Sequence, residues 1–414
     1  MFTSFSTALS ALSAHATAVD VVGNNLANLN TTGFKASAVS FHDLVTQSLG
    51  AGLGDTQVGF GVDRPTTIRQ FTQGAIQSTN SPLDAAIQGD GFLVVKDKAG
   101  STLYTRGGNL QVDKTGTLLS STGEAIQGWT AVAGIVNANA PTNNILVPVG
   151  TVKAPTASKS FSFDINLNAA GIVGATNGSF SSAIETFDSL GTSHIITVDF
   201  TKNATSNQWD YSISVPAADT TAPIAPVTGS VTFDSNGKLA TPLLTDPMPS
   251  IAIVGLVDGA TDMNVAWNLY DGATPRLTQF TQASARSANS QDGNPAAQLV
   301  KVALGDGGTI LAQYSNGTQT VVGQIAMASI RNPESLVSVG NNNFQLSERS
   351  ALPAVGAAST GGRGNIKGSA LESSTVDIAR EFTQLIVLQR GYQANAKVIT
   401  AVDELSQETI NLKR

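Results

Sequence analysis

The sequence predicts a mainly β protein with long α-helices at its termini: two nested β domains of barrel or sandwich type, plus a coiled-coil domain built from the N- and C-terminal helices. Three observations carry that prediction. Apolar residues recur at seven-residue spacing at both extremities, the long middle alternates apolar and polar residues, and that alternation is interrupted by a second β-patterned block before it resumes. A seven-residue repeat is the period of a helix that packs on another helix, whereas a period of two places one side of a strand on a core.

The C-terminal stretch 374–414 is the organising one. Ile378, Leu385, Tyr392 and Ile399 recur every seven residues, with Phe382, Leu388, Ala396 and Val402 between them at three and four. Ser374 with Asp377 reads as a capping box, and Lys413 and Arg414 stand where the helix dipole favours cations. In residues 4–29, Phe5, Leu12, Val19 and Leu26 repeat at seven, joined by Leu9, Ala16, Val22 and Leu29. A lone helix cannot bury such a stripe, so the two ends are expected to form coiled coils with each other or with neighbouring copies. Gly391, in mid-helix, costs about 1 kcal/mol relative to alanine. It is expected to permit a close helix approach.

Between the helices the chain reads as a nest. The coiled-coil domain takes 1–30 and 372–414, connectors take 31–70 and 353–371, a first β domain takes 71–144 and 286–352, and an inserted β domain takes 145–285. Gly33 is a natural left-handed stop for the first helix. The runs GDGFLVVKD, TLYTRGGNLQV and GTLLSSTGEAIQGW read as strands joined by tight turns, Asp113-Lys114-Thr115-Gly116 being one. In the insertion, Phe161, Phe163, Ile165 and Leu167 alternate with polar partners, as do Trp209, Tyr211, Ile213 and Val215, while Val265, Trp267 and Leu269 add a further strand. Asp234-Ser235-Asn236-Gly237 and Ser315-Asn316-Gly317 are two more turns.

Composition limits the function. Only 13% of the 414 residues are charged and the net charge is −7, which argues against nucleic acid and against a polybasic membrane anchor. Cysteine is absent, so disulfides, thiolate catalysis and cysteine-held metals are excluded. Met1–Ser10 lacks a basic segment of the kind that opens a secretory signal, and no run of about 18 apolar residues would span a bilayer. Export, if it occurs, would use another route.

An enzyme reading finds little to stand on. None of His15, His42 and His194 has a second histidine at metal-ligand spacing, and neither G-x-S-x-G nor HExxH occurs. The run GGRGNIKG at 361–368 resembles a phosphate loop only superficially: Lys367 stands where a dinucleotide fingerprint needs glycine, and no strand is expected before it. Asp84, Asp90 and Asp113 read as turn and cap residues. The expectation is no catalytic residue, no metal and no cofactor; a secreted β-rich hydrolase or adhesin is the competing class.

The motifs VVGNNLANLNTTGFK, SPLDAAIQGDGFLVV, YTRGGNLQVDKTGTLLSSTGEAIQGW and DGGTILAQYSNGTQTVVGQIAMASIRNPESLVSVGNNNFQ, with the terminal STVDIAREFTQLIVLQRGYQANAKVITAVDELSQETINLKR, together resemble the bacterial flagellar rod and hook axial protein family. Hook members are resembled more than distal-rod members, because of the large insertion. The resemblance covers both termini and both halves of the first β domain, and is loose over 145–285. It implies a subunit that self-assembles into the curved, flexible tube coupling motor to filament, with a distal-rod or hook-filament junction subunit as the alternative. It further implies a homopolymer that meets other axial proteins (distal rod, hook-associated junction proteins, hook cap), passes through the flagellar type III export apparatus without a cleaved signal, and resides outside the cell. On that reading Phe5, Leu9, Leu12, Val19, Leu26, Ile378, Phe382, Leu385, Leu388, Tyr392, Ala396, Ile399 and Val402 pack between subunits.

Overall fold

A computed structural model of the chain describes residues 2–44, 46–48 and 57–411. The chain divides into two compact units: one holds residues 1–149, 301–313 and 319–414, the other residues 150–300 and 314–318. Lys413, Arg414 and much of the glycine-punctuated run 48–62 lie outside the described residues.

In the first unit, helix α1 (Phe2–Ala27) and helix α2 (Ile378–Asn411) lie on each other, and the β portion is an antiparallel sheet. Its strands follow the order Gln319–Ile325, Ala125–Thr130, Phe92–Lys96, Thr102–Thr105, Asn343–Gln345 and Val337–Gly340. The three neighbouring strands that precede the second unit are therefore flanked on both sides by strands that follow it. Phe92, Val94, Tyr104, Ala328 and Phe344 are buried together, and Phe71, Phe92 and Phe344 meet edge to face with centroids 5.3–6.0 Å apart. Edge-to-face contact suits rings that present a negative face and a positive rim.

The second unit is a sandwich. One sheet is a meander through Ser179–Phe187, Ser193–Lys202, Gln208–Ser214, Val227–Phe233 and Leu239–Thr241. The other joins Ser250–Ile253, Met263–Trp267, Ser160–Asn168, Leu277–Phe280 and Ala285–Gln291. The alternation holds residue by residue: Phe161, Phe163, Ile165 and Leu167 point into the same core as Ile196, Phe200, Trp209, Ile213 and Trp267. The turn at 234–237 forms as its residues require, since the Asp234 carboxylate accepts from the backbone N–H groups of Asn236 and Lys238 and Gly237 has φ 76°. Asp113 does the same for Thr115 and Thr117 ahead of Gly116.

Two expectations need correction. The connectors 31–70 and 353–371 read as holding little regular pattern beyond short extended pieces near Val62, Ile68 and Phe71, yet they contain paired strands: Ser37–Ser40 pairs with Thr66–Arg69, Asn365–Gly368 with Ala85–Gln88, and Ala370–Glu372 with Ile76–Ser78. Backbones close in at points along them; a Cβ on Gly368 would fall 1.9 Å from the Leu304 carbonyl oxygen. Strands of three or four residues are too short for an alternation to be read from the sequence. The second correction is at the start of α2, where Asp377, not Ser374, is the cap: its carboxylate accepts from the N–H groups of Ala379 and Arg380 at 2.9 and 3.2 Å. Asp377→Ala is expected to cost about 1 kcal/mol, measured as a fall in helical circular dichroism at a lower temperature than in the parent chain.

Candidate assembly interface

The two helices run antiparallel. Asn25, near the end of α1, donates to the Glu381 carboxylate at the start of α2 at 3.2 Å, while His15, a few turns back on α1, lies against Gly391, further along α2. A Cβ on Gly391 would stand 2.7 Å from the His15 ring, so glycine is what lets the imidazole sit against the α2 backbone. The other side of His15 meets Phe41, ring centroids 5.6 Å apart.

The face that α1 buries is Ala8, Ala14, Ala18, Val22 and Asn25. Of the α1 residues expected at an interface, Leu12, Val19 and Leu26 are half-buried beside that face, whereas Phe5 and Leu9 are 40% and 51% exposed. On α2, Leu385, Leu388, Ala396, Ile399 and Val402 are half-buried, while Ile378, Phe382 and Tyr392 face solvent. The composition of the seam has a simple cause: alanines let helices approach closely, so the contact between α1 and α2 selects small side chains. The larger residues flank the seam.

A second set escaped the pattern altogether. Ile386, Val387, Val398, Leu405 and Ile410 on α2 are all 45–70% exposed. Val398 and Leu405 stand seven apart, which is the signal that could have found them. Beside them a groove of about 260 Å³ opens between α1, the strand Ser37–Ser40 and α2, lined by Ala18, Val22, Val39, Phe41, Val387 and Leu388. A helix pair that leaves this much apolar surface in water has a contact surface to spare.

The roots of the helices are anchored by buried charge. Glu372, the last residue of the strand before α2, is fully buried; its Oε1 accepts from Lys35 Nζ at 2.6 Å, Gln73 Nε2 at 3.0 Å and the Gly74 N–H at 2.7 Å, and its Oε2 lies 3.3 Å from Arg106 Nη1. Lys35, eight residues past the end of α1 at Ala27 and two past Gly33, which lies in the turn beyond the helix and is not its stop, also donates to the Thr72 carbonyl at 2.6 Å. Burial, then the neighbouring Arg106 charge, push the Lys35 amine below its ordinary value, against the opposing pull of Glu372. Arg69 is likewise lowered by burial and stacks over Phe344, 5.1 Å from its centroid. One carboxylate thus gathers side chains from the start of the connector, the sheet and the entrance to α2. Sequence spacing gives no hint of it, since its members span residues 35–372.

The remaining chemistry-bearing residues are structural or lie elsewhere. His42 sits 3.0 Å from the Thr66 hydroxyl. In the 361–368 run, Gly361 and Gly362 have φ of 58° and 77° in a turn, the Arg363 guanidinium is spent on the Ala357 and Ala354 carbonyls, and 365–368 is a strand. Asp84 accepts from the Thr79 hydroxyl at 2.7 Å, and Asp90 receives the Gly364 N–H on its backbone carbonyl. The fold brings Asp188 and Asp219 to the ring of His194. Among the described residues no helix is long and apolar enough to cross a membrane.

Comparison with known proteins agrees with this geometry. Four family models match: flagella basal body rod protein over 5–35, the flagellar hook protein FlgE/F/G D1 domain over 86–175, the flagellar basal body protein FlaE D2 domain over 166–294, and the flagellar basal body rod FlgEFG protein C-terminal region over 367–412. Paired terminal helices carrying nested β units, with rod-type segments at both ends, define a flagellar axial protein. The chain is 32% identical to the flagellar hook protein FlgE of Treponema pallidum over 100% of both chains. It is 32% identical to that of Escherichia coli over 99% of this chain and 100% of the relative. The Helicobacter pylori flagellar hook protein FlgE2 shares the fold, with a TM-score of 0.53 over 72% of this chain and 100% of its own at 14% identity. The chain belongs to the flagellar hook protein FlgE family, and is a structural protein of the flagellar hook and basal body.

Proposed function

We propose that the chain is the repeating subunit of a curved, flexible tube that transmits motor torque to the filament, and that copies join through the outer faces of α1 and α2. The observation that carries this reading is the row of exposed apolar side chains on the helix pair: Phe5 and Leu9 on one helix, Phe382, Ile386, Val387, Val398 and Leu405 on the other. Buried apolar area contributes about 25 cal/mol per Å², and a partner copy is the surface available many times over in a homopolymer. The Ala8–Ala18–Val22 seam would set the pair within a subunit, and the flanking Leu12, Val19, Leu26, Leu385, Leu388, Tyr392, Ala396, Ile399 and Val402, with Ile378 at the helix entrance, would take part in packing to neighbours. Distal-rod and hook-associated junction proteins and the hook cap are the axial partners that fit such a tube. The flagellar type III apparatus is the matching exporter, delivering subunits to the outside. The role is mechanical, with no catalytic step.

The test is assembly. Full-length chain carrying Ile386→Ser, Val398→Ser and Leu405→Ser, and a chain ending at residue 373, are expected to remain folded β monomers by circular dichroism and to form no tubes by electron microscopy, under conditions in which the parent forms curved ones. Tubes from the chain lacking α2 would sink the proposal; straight tubes from the parent would indicate a rod subunit instead.

A further inference from the structure

His194 is the point at which three turns of the second unit converge. Its ring is 5% exposed. Asp188 stands in the turn between the strands Ser179–Phe187 and Ser193–Lys202, Asp219 in the turn after Gln208–Ser214, and Asp258 between Ser250–Ile253 and Met263–Trp267. Asp188 and His194 therefore come from one sheet and Asp258 from the other.

We propose that His194 Nε2 and the carboxylates of Asp188 and Asp258 form a binding site for a divalent transition cation of the zinc type, with Asp219 as the residue that positions the imidazole. The three ligand atoms lie within 4.8 Å of one another. Each aspartate is already steadied by its own turn: the Asp188 Oδ1 accepts from the N–H groups of Leu190 and Thr192 at 2.8 and 2.9 Å, leaving Oδ2 toward the ring, and the Asp258 Oδ1 accepts from the Ala260 N–H at 3.0 Å. Asp219 Oδ2 lies 3.1 Å from the other ring nitrogen, Nδ1. A carboxylate on Nδ1 fixes the tautomer in which Nε2 carries the lone pair, the arrangement that orients metal-bound histidines.

The distance at Nε2 accommodates a shared ion as well as a hydrogen bond: two atoms bound to a tetrahedral zinc at about 2.0–2.1 Å stand roughly 3.3 Å apart, and an N–H···O bond spans about 2.7–3.2 Å. Nε2 and Asp188 Oδ2 are 3.2 Å apart. The charge count favours the ion: a singly charged imidazolium faces three carboxylates, while a dication with neutral imidazole balances two of them outright. One nitrogen and two carboxylate oxygens suit zinc, since calcium and magnesium seek shells of six or more oxygens. The bound ion would staple the two sheets together at one end of the sandwich.

The experiment is titration of the full-length monomer with Zn²⁺ alone, followed by calorimetry and by thermal unfolding. One saturable site per chain is expected, with a melting temperature that rises with zinc. Asp258→Asn, at an exposed position, should leave the chain folded without zinc and lose at least tenfold in affinity; Asp219→Asn should lose about 10–100-fold. A paired His15→Gln, His42→Gln chain should bind zinc like the parent. Absence of saturable binding, undiminished affinity in Asp258→Asn, loss of binding in the His15/His42 chain, or equal stabilisation by Mg²⁺ or Ca²⁺ would each overturn the proposal.

Discussion

Glu372→Gln is expected to destabilise the helix-bearing unit by about 3–5 kcal/mol, lowering its melting temperature by on the order of 10 °C. The substitution keeps the size of the side chain and removes its charge. Lys35 and Arg106 would then be two buried cations facing a neutral amide, and neither is near water: their side chains are 0% and 3% exposed. Lys35→Met should cost less, because it removes a cation that already suffers from desolvation and from Arg106, and leaves the Arg106–Glu372 pair whole. The order of the two losses, read from denaturant unfolding monitored on α1 and α2 by helical circular dichroism, is the discriminating result. A Glu372→Gln loss below about 1 kcal/mol, the range of exposed pairs, or a larger loss from Lys35→Met, would show that the carboxylate is not the anchor of the helix roots.

Trp267→Ala should unfold the sandwich unit at markedly lower denaturant, with a loss of about 3–5 kcal/mol. The indole is fully buried where the two sheets meet, stacked on Phe161 with centroids 6.2 Å apart and met edge-on by Phe200 and Tyr211 at 5.7 and 5.3 Å. Its removal leaves a cavity bounded by rigid rings, which cannot collapse to fill it. Trp267→Phe keeps a ring against Phe161 and should lose less. Hydrogen exchange of the amides in Ser160–Asn168 and Gln208–Ser214 measures the effect directly; unchanged protection in the alanine variant would mean that the core is held by other contacts.

The helices and most of the strands were legible before any coordinates, because each is specified by a local rhythm: seven in the termini, two in stretches such as 161–167 and 209–215. Turns were legible for a similar reason, since Asp234 and Gly237 satisfy a four-residue geometry that needs no distant partner. For the helix pair, apolar stripes marked the two helices that meet, while the seam alanines Ala8, Ala14 and Ala18 and the exposed Ile386, Val387 and Val398 lay outside those stripes. Connector strands such as Ala370–Glu372 are only three or four residues long, too short for a period of two to stand out in the sequence.

The sequence by itself determined that two helices would frame a nested β body, and that its surface would be polar and lightly charged. Only the tertiary structure decided what lies across from what. It laid α1 antiparallel on α2, set Ser160–Asn168 parallel to both Met263–Trp267 and Leu277–Phe280, joined Glu372 to Lys35, and brought Asp188, Asp219 and Asp258 around His194. The physical reason is one of range: backbone geometry ties a residue to neighbours a turn or a pleat away, while charge pairing and close packing act through space between residues that the chain itself holds far apart.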